Sequence, residues 1–311
     1  MIKMFKKDEA GLKQIKDYEK DIWICLTNPS ERECASISSR FGIPIDFLLD
    51  PLDSNERSRV EVEDEGILIV LRVPEAGEDE PGERIFYTLP VGIIFVEDAI
   101  ITVANSHISI LQEFIEGRVK NFSIKNKNSF LFSLFLRSTL LYLKYLKEIN
   151  TITEHEEDRL QETMKNEELM SLLNLQKGLV YFSTSLKANE LMMEKLRRGR
   201  IIKITEDEED LLDDILIENR QAIEMTNIYS NILRDMMDAF SSIISNNLNI
   251  VMKFLTSITL ILTIPTLIAS IYGMNVPLPL SHSPHAFIIV IGISIVLSTV
   301  LTLIFKRKGL L

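Results

Sequence analysis

SNNLNIVMKFLTSITLILTIPTLIASIYGMN, residues 245–275, decides the fold. A helix needs about 20 apolar residues to cross a bilayer, and Phe254 to Tyr272 carries no charge, so 254–272 is expected to be a first membrane span. A second candidate, AFIIVIGISIVLSTVLTLIF, occupies 286–305 with one glycine and no charge. The 273–285 connection holds three prolines, which cannot continue a helix, so the spans form a hairpin. Lys253 stands at the foot of the first span and Lys306, Arg307 and Lys308 follow the second, whereas the connection has neither Lys nor Arg. Cytoplasmic span ends collect Lys and Arg. Both termini, including the basic tail 306–311, are therefore expected in the cytoplasm, with the hairpin in the lipid of the cell membrane.

The remaining composition agrees with this division. The chain is 25% charged and 46% hydrophobic, with a mean hydropathy of +0.12. The three C-terminal cations carry +3 of a formal net charge of −11, so residues 1–253 carry −14. No basic face compensates that acid, which argues against nucleic acid as a partner. Cys25 and Cys34 have no nearby His or further Cys to complete a metal tetrahedron. The N-terminus lacks the apolar core of a signal peptide.

Residues 1–115 are expected to form a cytoplasmic α/β domain. DIWICLT (21–27), GILIVLRV (66–73), RIFYTLPVGIIFV (84–96) and AIITVA (99–104) are β-branched apolar runs divided by Gly, Pro and Asp turns. A cytoplasmic helical region follows over 116–204, with helical periodicity from about Ser109 to Arg200. At 205 a new helix begins: Thr205 with Glu208 has the spacing of a capping box, and the acids of EDEED suit a helix N-terminus. Glu206 to Tyr272 contains no glycine and one proline. A helix of that span would extend roughly 100 Å at 1.5 Å per residue. It would make a stalk over 205–253 and enter the membrane without a break. A lone helix of that length needs partners, which predicts a bundle formed by oligomerisation.

One face of this helix, at steps of three and four residues, carries Asp238, Ser241, Ser245, Asn249, Met252, Leu255, Thr259, Thr263, Thr266 and Ser270. In hydrocarbon such a stripe must face protein or water. Close helix packing is the commoner use of Ser and Thr stripes, and some hydroxyls bond their own backbone. Here the stripe continues below the membrane and ends at Asn275, as a polar path around a symmetry axis would. Met252 and Leu255 would then be an apolar constriction of the kind that gates by dewetting.

Tyr-Gly-Met-Asn at 272–275, between a proline-containing span and a second span ending in cations, resembles the CorA family of two-span divalent-cation transporters. LQKGLVYFSTSLKANE (175–190), ENRQAIEMTNIYSNIL (218–233) and residues 245–275 share that resemblance, and it extends more loosely before residue 110. It implies a homopentameric funnel: an α+β cytoplasmic domain, a long stalk helix and a two-helix transmembrane hairpin whose first spans make the pore. It also implies Mg²⁺ as substrate, with Co²⁺ and Ni²⁺ also carried. Gly273, Met274 and Asn275 match the selectivity filter at the outer mouth, and Asn249, Met252, Leu255, Thr263 and Thr266 match pore-facing stations, with Thr259 on the same stripe. A ring of Asn275 carboxamides can accept hydrogen bonds from the waters that Mg²⁺ sheds reluctantly. Unlike many relatives, this outer loop has no acidic residue.

The resemblance further implies closure by Mg²⁺ bound between subunits in the cytoplasmic domain. Asp214 matches one ligand, and Asp64, among Glu63, Asp64 and Glu65, matches its partner. Bound Mg²⁺ would bridge facing carboxylates of acidic subunits, and its loss would release their repulsion. The plain alternative is that EDEEDLLDD is a solvated helix start. Asp238 would form a carboxylate ring on the axis. The acids at 154–158 and 165–168 would lie on helices outside the stalk, where they could pair with the basic tail. His282 and His285 read as interfacial polar residues rather than a metal pair.

Three rival functions fit less of the chain. A transporter of the same fold for Zn²⁺ or another transition metal is disfavoured by Met274, since Gly-Ile-Asn is the variant associated with zinc. A two-span signalling or scaffold protein leaves the polar stripe unexplained. An enzyme is expected least, because residues 1–250 show no nucleophile–base pair, phosphate-binding loop or metal-ligand cluster.

Overall fold

The structure is a computed structural model of the 311-residue chain. It describes every residue except 9, 10, 80–82, 121, 164, 165, 200, 277, 280–283 and 311, together with the side chains of 161–163 and 166–168. The chain divides into two compact units, Met1–Asp235 and Met236–Leu311.

The first unit is built on a seven-stranded sheet. Its strands are β1 (Ile2–Asp8), β2 (Gly11–Ile15), β3 (Ile22–Thr27), β4 (Arg59–Glu63), β5 (Gly66–Glu78), β6 (Arg84–Val96) and β7 (Ala99–Ala104), in the order β2-β1-β3-β7-β6-β5-β4. Only β3 and β7 pair in parallel; the other neighbours are antiparallel. The crossover from β3 to β7 contains α1 (Glu31–Phe41) and α2 (Asp46–Leu49). Both sheet faces are covered, so the central strands are continuous apolar runs rather than alternating ones. Along β3, Ile22, Ile24 and Leu26 join Ile37, Phe47 and Leu48 in one core. Trp23 and Cys25 point the other way, into a core with Phe114, Phe130 and Leu196. Trp23 is fully buried, and its Nε1–H donates to the Thr102 hydroxyl at 2.9 Å.

On the Trp23 side lie α3 (Ser109–Ile115), α4 (Lys127–Thr163) and α5 (Asn166–Arg197). Two glycines record close approaches. A Cβ on Gly178 of α5 would stand 3.0 Å from Phe86 Cβ and 3.1 Å from its carbonyl oxygen, so the helix backbone lies directly on β6. A Cβ on Gly92 would stand 2.5 Å from Pro51 Cγ and 2.7 Å from Val103 Cγ1, inside van der Waals contact. Gly92→Ala is therefore expected to destabilise this unit by about 1–3 kcal/mol through overpacking. A thermal melt of the purified protein should show the transition of this unit several degrees lower.

Helix α6 (Glu206–Tyr272) is unbroken for 67 residues. Its start is tied to the first unit by the side chain of Glu208, which accepts from the Thr205 backbone N–H at 3.0 Å and from the amides of Asn126 and Asn128 at 2.9 and 3.1 Å. Burial works against the Glu208 charge, but these donors outweigh it and hold the carboxyl below its ordinary pKa. Further along, Arg220 pairs with Glu190 and Glu194 of α5 at 2.6 and 2.7 Å. The buried Asn219 amide donates to the Leu186 carbonyl at 3.1 Å. In the second unit, the remainder of α6 is followed by α7 (Ala286–Arg307). Both helices include a stretch long and apolar enough to cross a membrane, and almost none of either stretch is buried.

Candidate ion pathway and regulatory carboxylates

Within the second unit, α6 uses one face against α7. Ile261, Pro265, Ala269 and Tyr272 line an apolar groove of about 860 Å³ with Ala286, Val290 and Ser294 of α7. Pro265 has no N–H to donate to the carbonyl four residues back, at Ile261. The Ser298 hydroxyl of α7 reaches that carbonyl instead, at 3.5 Å.

Thr263 is on the other side, whereas Thr266 borders the groove, about 40° around the helix from the lining residue Leu262. At 3.6 residues per turn, Thr263 lies about 200° around the helix from Ile261, and Thr259 about 200° from Ser257. Ser241, Ser245, Asn249, Met252, Leu255, Thr259, Thr263, Thr266 and Ser270 are all exposed on the single chain. Met252 and Leu255 are large apolar side chains left 52% and 56% exposed. Packing against α7 therefore does not account for the stripe as a whole. Three of its hydroxyls donate to their own backbone: Thr259 to Leu255, Thr263 to Thr259 and Thr266 to Leu262, at 2.8, 2.7 and 3.0 Å. With each proton turned into the helix, the oxygens present lone pairs outward. A surface of acceptors suits a hydrated cation, whose waters donate.

Gly273, Met274 and Asn275 form the turn that ends α6. The Gly273 N–H donates to Ala269 O at 2.9 Å and the Met274 N–H to Ile271 O at 3.2 Å. A Cβ on Gly273 would stand 3.3 Å from Ala269 O, a tight fit at this turn. Met274 and Asn275 are exposed. The turn stands on a helix C-terminus, which carries about half a negative charge and has carbonyls without intrahelical donors. That supplies cation attraction that the acid-free loop lacks.

Asp64 sits in the turn between β4 and β5, and Asp214 on α6 beside the buried Leu212, Ile215 and Leu216; both carboxylates are exposed. Of the acids of 206–214, only Glu208 and Asp213 are paired among the described residues, so Asp214 is unpaired like Glu206, Asp207, Glu209 and Asp210. Glu208 caps the helix, and Asp213 pairs with Arg197 at 2.8 Å. Nothing joins Asp64 to Asp214 within one chain, and no group of three metal-ligating side chains occurs among the described residues. Asp238 is exposed as well. Of the loop histidines, His282 lies outside the described residues, and His285 directly precedes α7. The acids at 165–168 also lie outside the described side chains.

The motif segments of α5 meet a residue that the sequence left unremarked. Arg72 of β5 donates to the Thr88 and Ser185 hydroxyls and to the carbonyls of Ser54, Glu56 and Thr88, at 2.6 to 3.1 Å. Asn189 exchanges hydrogen bonds with the Arg72 backbone, at 3.1 and 2.8 Å. Burial lowers the Arg72 pKa. Ser185 and Asn189 in LQKGLVYFSTSLKANE thus fasten α5 to the sheet; a lone Arg in an apolar strand was the available signal.

The family model described as CorA-like Mg²⁺ transporter protein matches residues 19–307. The chain is 30% identical over 293 residues to the cobalt/magnesium transport protein CorA of Methanocaldococcus jannaschii, covering 93% of this chain and 90% of that one. Among solved structures it resembles the complete CorA magnesium transporter from the same organism, with a TM-score of 0.84 at 27% identity over 100% of this chain and 99% of the other. It also shares the fold of the ZntB cytoplasmic domain from Vibrio parahaemolyticus, with a TM-score of 0.61 at 12% identity, covering 78% and 98%.

Proposed function

Since the chain belongs to the CorA-like Mg²⁺ transporter family, we propose that it is a channel-type transporter admitting Mg²⁺ into the cell. Five copies surround an axis with the exposed face of α6, and both termini lie in the cytoplasm. The membrane segments are 254–272 and 286–305, with 273–285 outside. The observation that carries this reading is the exposed row of hydroxyl oxygens at Thr259, Thr263 and Thr266 of α6, each with its proton given to the helix backbone.

The chemistry follows from the ion. Mg²⁺ holds its waters tightly and prefers oxygen ligands in an octahedron. Five Asn275 carboxamides, set on five helix C-termini, attract the hydrated ion and accept from its waters. Uncharged Thr266, Thr263 and Thr259 then pass it without binding it too strongly to leave. Leu255 and Met252 close the path when their rings come together and dewet. Asn249 and Asp238 receive the ion below. The relative's name, cobalt/magnesium transport protein, favours Co²⁺ as a second substrate.

Regulation rests on two free carboxylates. Asp214 and Asp64 offer hard oxygen donors of the type Mg²⁺ takes, but one chain does not bring them together. They make a site only between copies, where the bound ion clamps neighbouring acidic subunits. Asp214→Asn is expected to keep the channel open at internal Mg²⁺ several-fold above that which closes the parent. Unchanged closure in that variant would remove Asp214 from the site. The function itself is tested in liposomes holding a fluorescent Mg²⁺ indicator under an inside-negative potential. Mg²⁺ entry supports the reading. Entry of Co²⁺ or Ni²⁺ alone would change the substrate, and no divalent flux would remove the transport reading.

A further inference from the structure

Ser257 stands apart from the hydroxyl stripe. It is the one buried position among the described residues of 254–272, at 3% exposure. Its hydroxyl lies 2.8 Å from the Lys253 carbonyl in its own helix and 3.1 Å from the carbonyl of Leu310, 53 residues away. A hydroxyl has one proton, so the two carbonyls share it.

The Leu310 carbonyl is placed there by a defined turn. After α7, Gly309 adopts a left-handed φ of 66°. The Gly309 N–H donates to Lys306 O at 3.2 Å and the Leu310 N–H to Phe305 O at 3.0 Å, the paired bonds of a Schellman ending. The chain thereby folds back onto α6 rather than running on. Around the helix, Ser257 lies about 200° from Leu255 and about 140° from Met252. The contact is thus on the back of the helix turn whose front carries the apolar constriction.

We propose that the C-terminal turn is a brace for the gate: the Leu310 carbonyl, presented by Gly309, holds Ser257 and fixes the rotation at which Met252 and Leu255 face the axis. Ser257 is a positioning residue on this account, which rests on the pore reading above. If the turn moves away, the Ser257 proton remains satisfied by Lys253, so the brace can be released without leaving a buried donor unpaired. The basic residues Lys306, Arg307 and Lys308 sit in or beside this turn, which links the inner membrane surface to the gate.

Four full-length variants test this in the liposome assay. Ser257→Ala is expected to raise the internal Mg²⁺ needed for half-closure about fivefold, the worth of one neutral hydrogen bond near 1 kcal/mol. Ser257→Thr keeps the hydroxyl and should close as the parent does. A Cβ on Gly309 meets nothing within 4 Å, so substitutions there act through φ alone. Gly309→Val, which resists that φ, should behave as Ser257→Ala, and Gly309→Asn, which tolerates it, as the parent. Parent-like closure in both Ser257→Ala and Gly309→Val would overturn the proposal. If Ser257→Ala does not assemble, the Gly309 pair decides. Amide hydrogen exchange over 252–258 needs no flux, and should quicken in Ser257→Ala and Gly309→Val. Its failure to change refutes the brace, whereas undiminished flux in Asn275→Ala refutes the pore reading and leaves the exchange result standing.

Discussion

Asn275→Ala is expected to cut Mg²⁺ entry at least tenfold while the oligomer still assembles. Tenfold corresponds to about 1.4 kcal/mol, a modest demand on five carboxamides acting on one ion. Asn275 is exposed at the end of α6, so its removal leaves no cavity and should not disturb folding. Asn275→Asp should also block entry, for a different reason. Five carboxylates around one axis would hold a divalent cation too tightly for release. Flux should be read in liposomes and oligomer size on the same preparations. Parent-like entry in either variant would take the mouth of the path away from Gly273, Met274 and Asn275.

Leu255→Asn is expected to act in the opposite sense, leaving the channel conducting at internal Mg²⁺ that closes the parent. An apolar ring stops ions by excluding water, and it needs no contact with them. A ring of five carboxamides at that level stays wet, so the closed state should leak about tenfold more than the parent. Leu255→Ile keeps the surface apolar and should close normally. Recordings at saturating internal Mg²⁺ separate the two. A tight closed state in Leu255→Asn would move the constriction elsewhere on α6.

How much of this was legible in the sequence depended on how local the cause was. The central strands announced themselves because burial on both faces demands unbroken apolar runs, as in IWICLT of β3 and AIITVA of β7. Strands β1 and β2 did not: IKMFKKD and GLKQI mix lysine with apolar residues near one edge of the sheet. Helix α1 carries a complete capping box, Ser30 with Glu33, but its interior is short and polar. Helix α6 was legible from end to end, since nothing between Glu206 and Tyr272 except Pro265 breaks a helix.

The candidate site divides the same way. The hydroxyl stripe is a matter of spacing on one helix and could be listed from sequence. What sequence could not supply was its direction relative to α7, since α6 presents Ile261, Pro265 and Ala269 to that helix. Arg72 stands out in sequence only as a lone cation in an apolar strand, and its partners, from β6, α5 and the segment before β4, carry no local signal. Ser257 was invisible because its distant partner is a backbone carbonyl, which carries no sequence signature. Asp64 and Asp214 remain a pair by resemblance only, since nothing joins them within one chain.

The central claim is that ions travel along the Thr259–Thr263–Thr266 face of α6, and cysteine accessibility tests it most directly. The native Cys25 and Cys34 are buried, so a small cationic thiosulfonate should leave the parent's Mg²⁺ flux unchanged. Thr263→Cys should lose its flux on treatment, because the attached cation stands in the path. Ile261→Cys, on the face against α7, should not. Block of Ile261→Cys with no effect on Thr263→Cys would contradict the account.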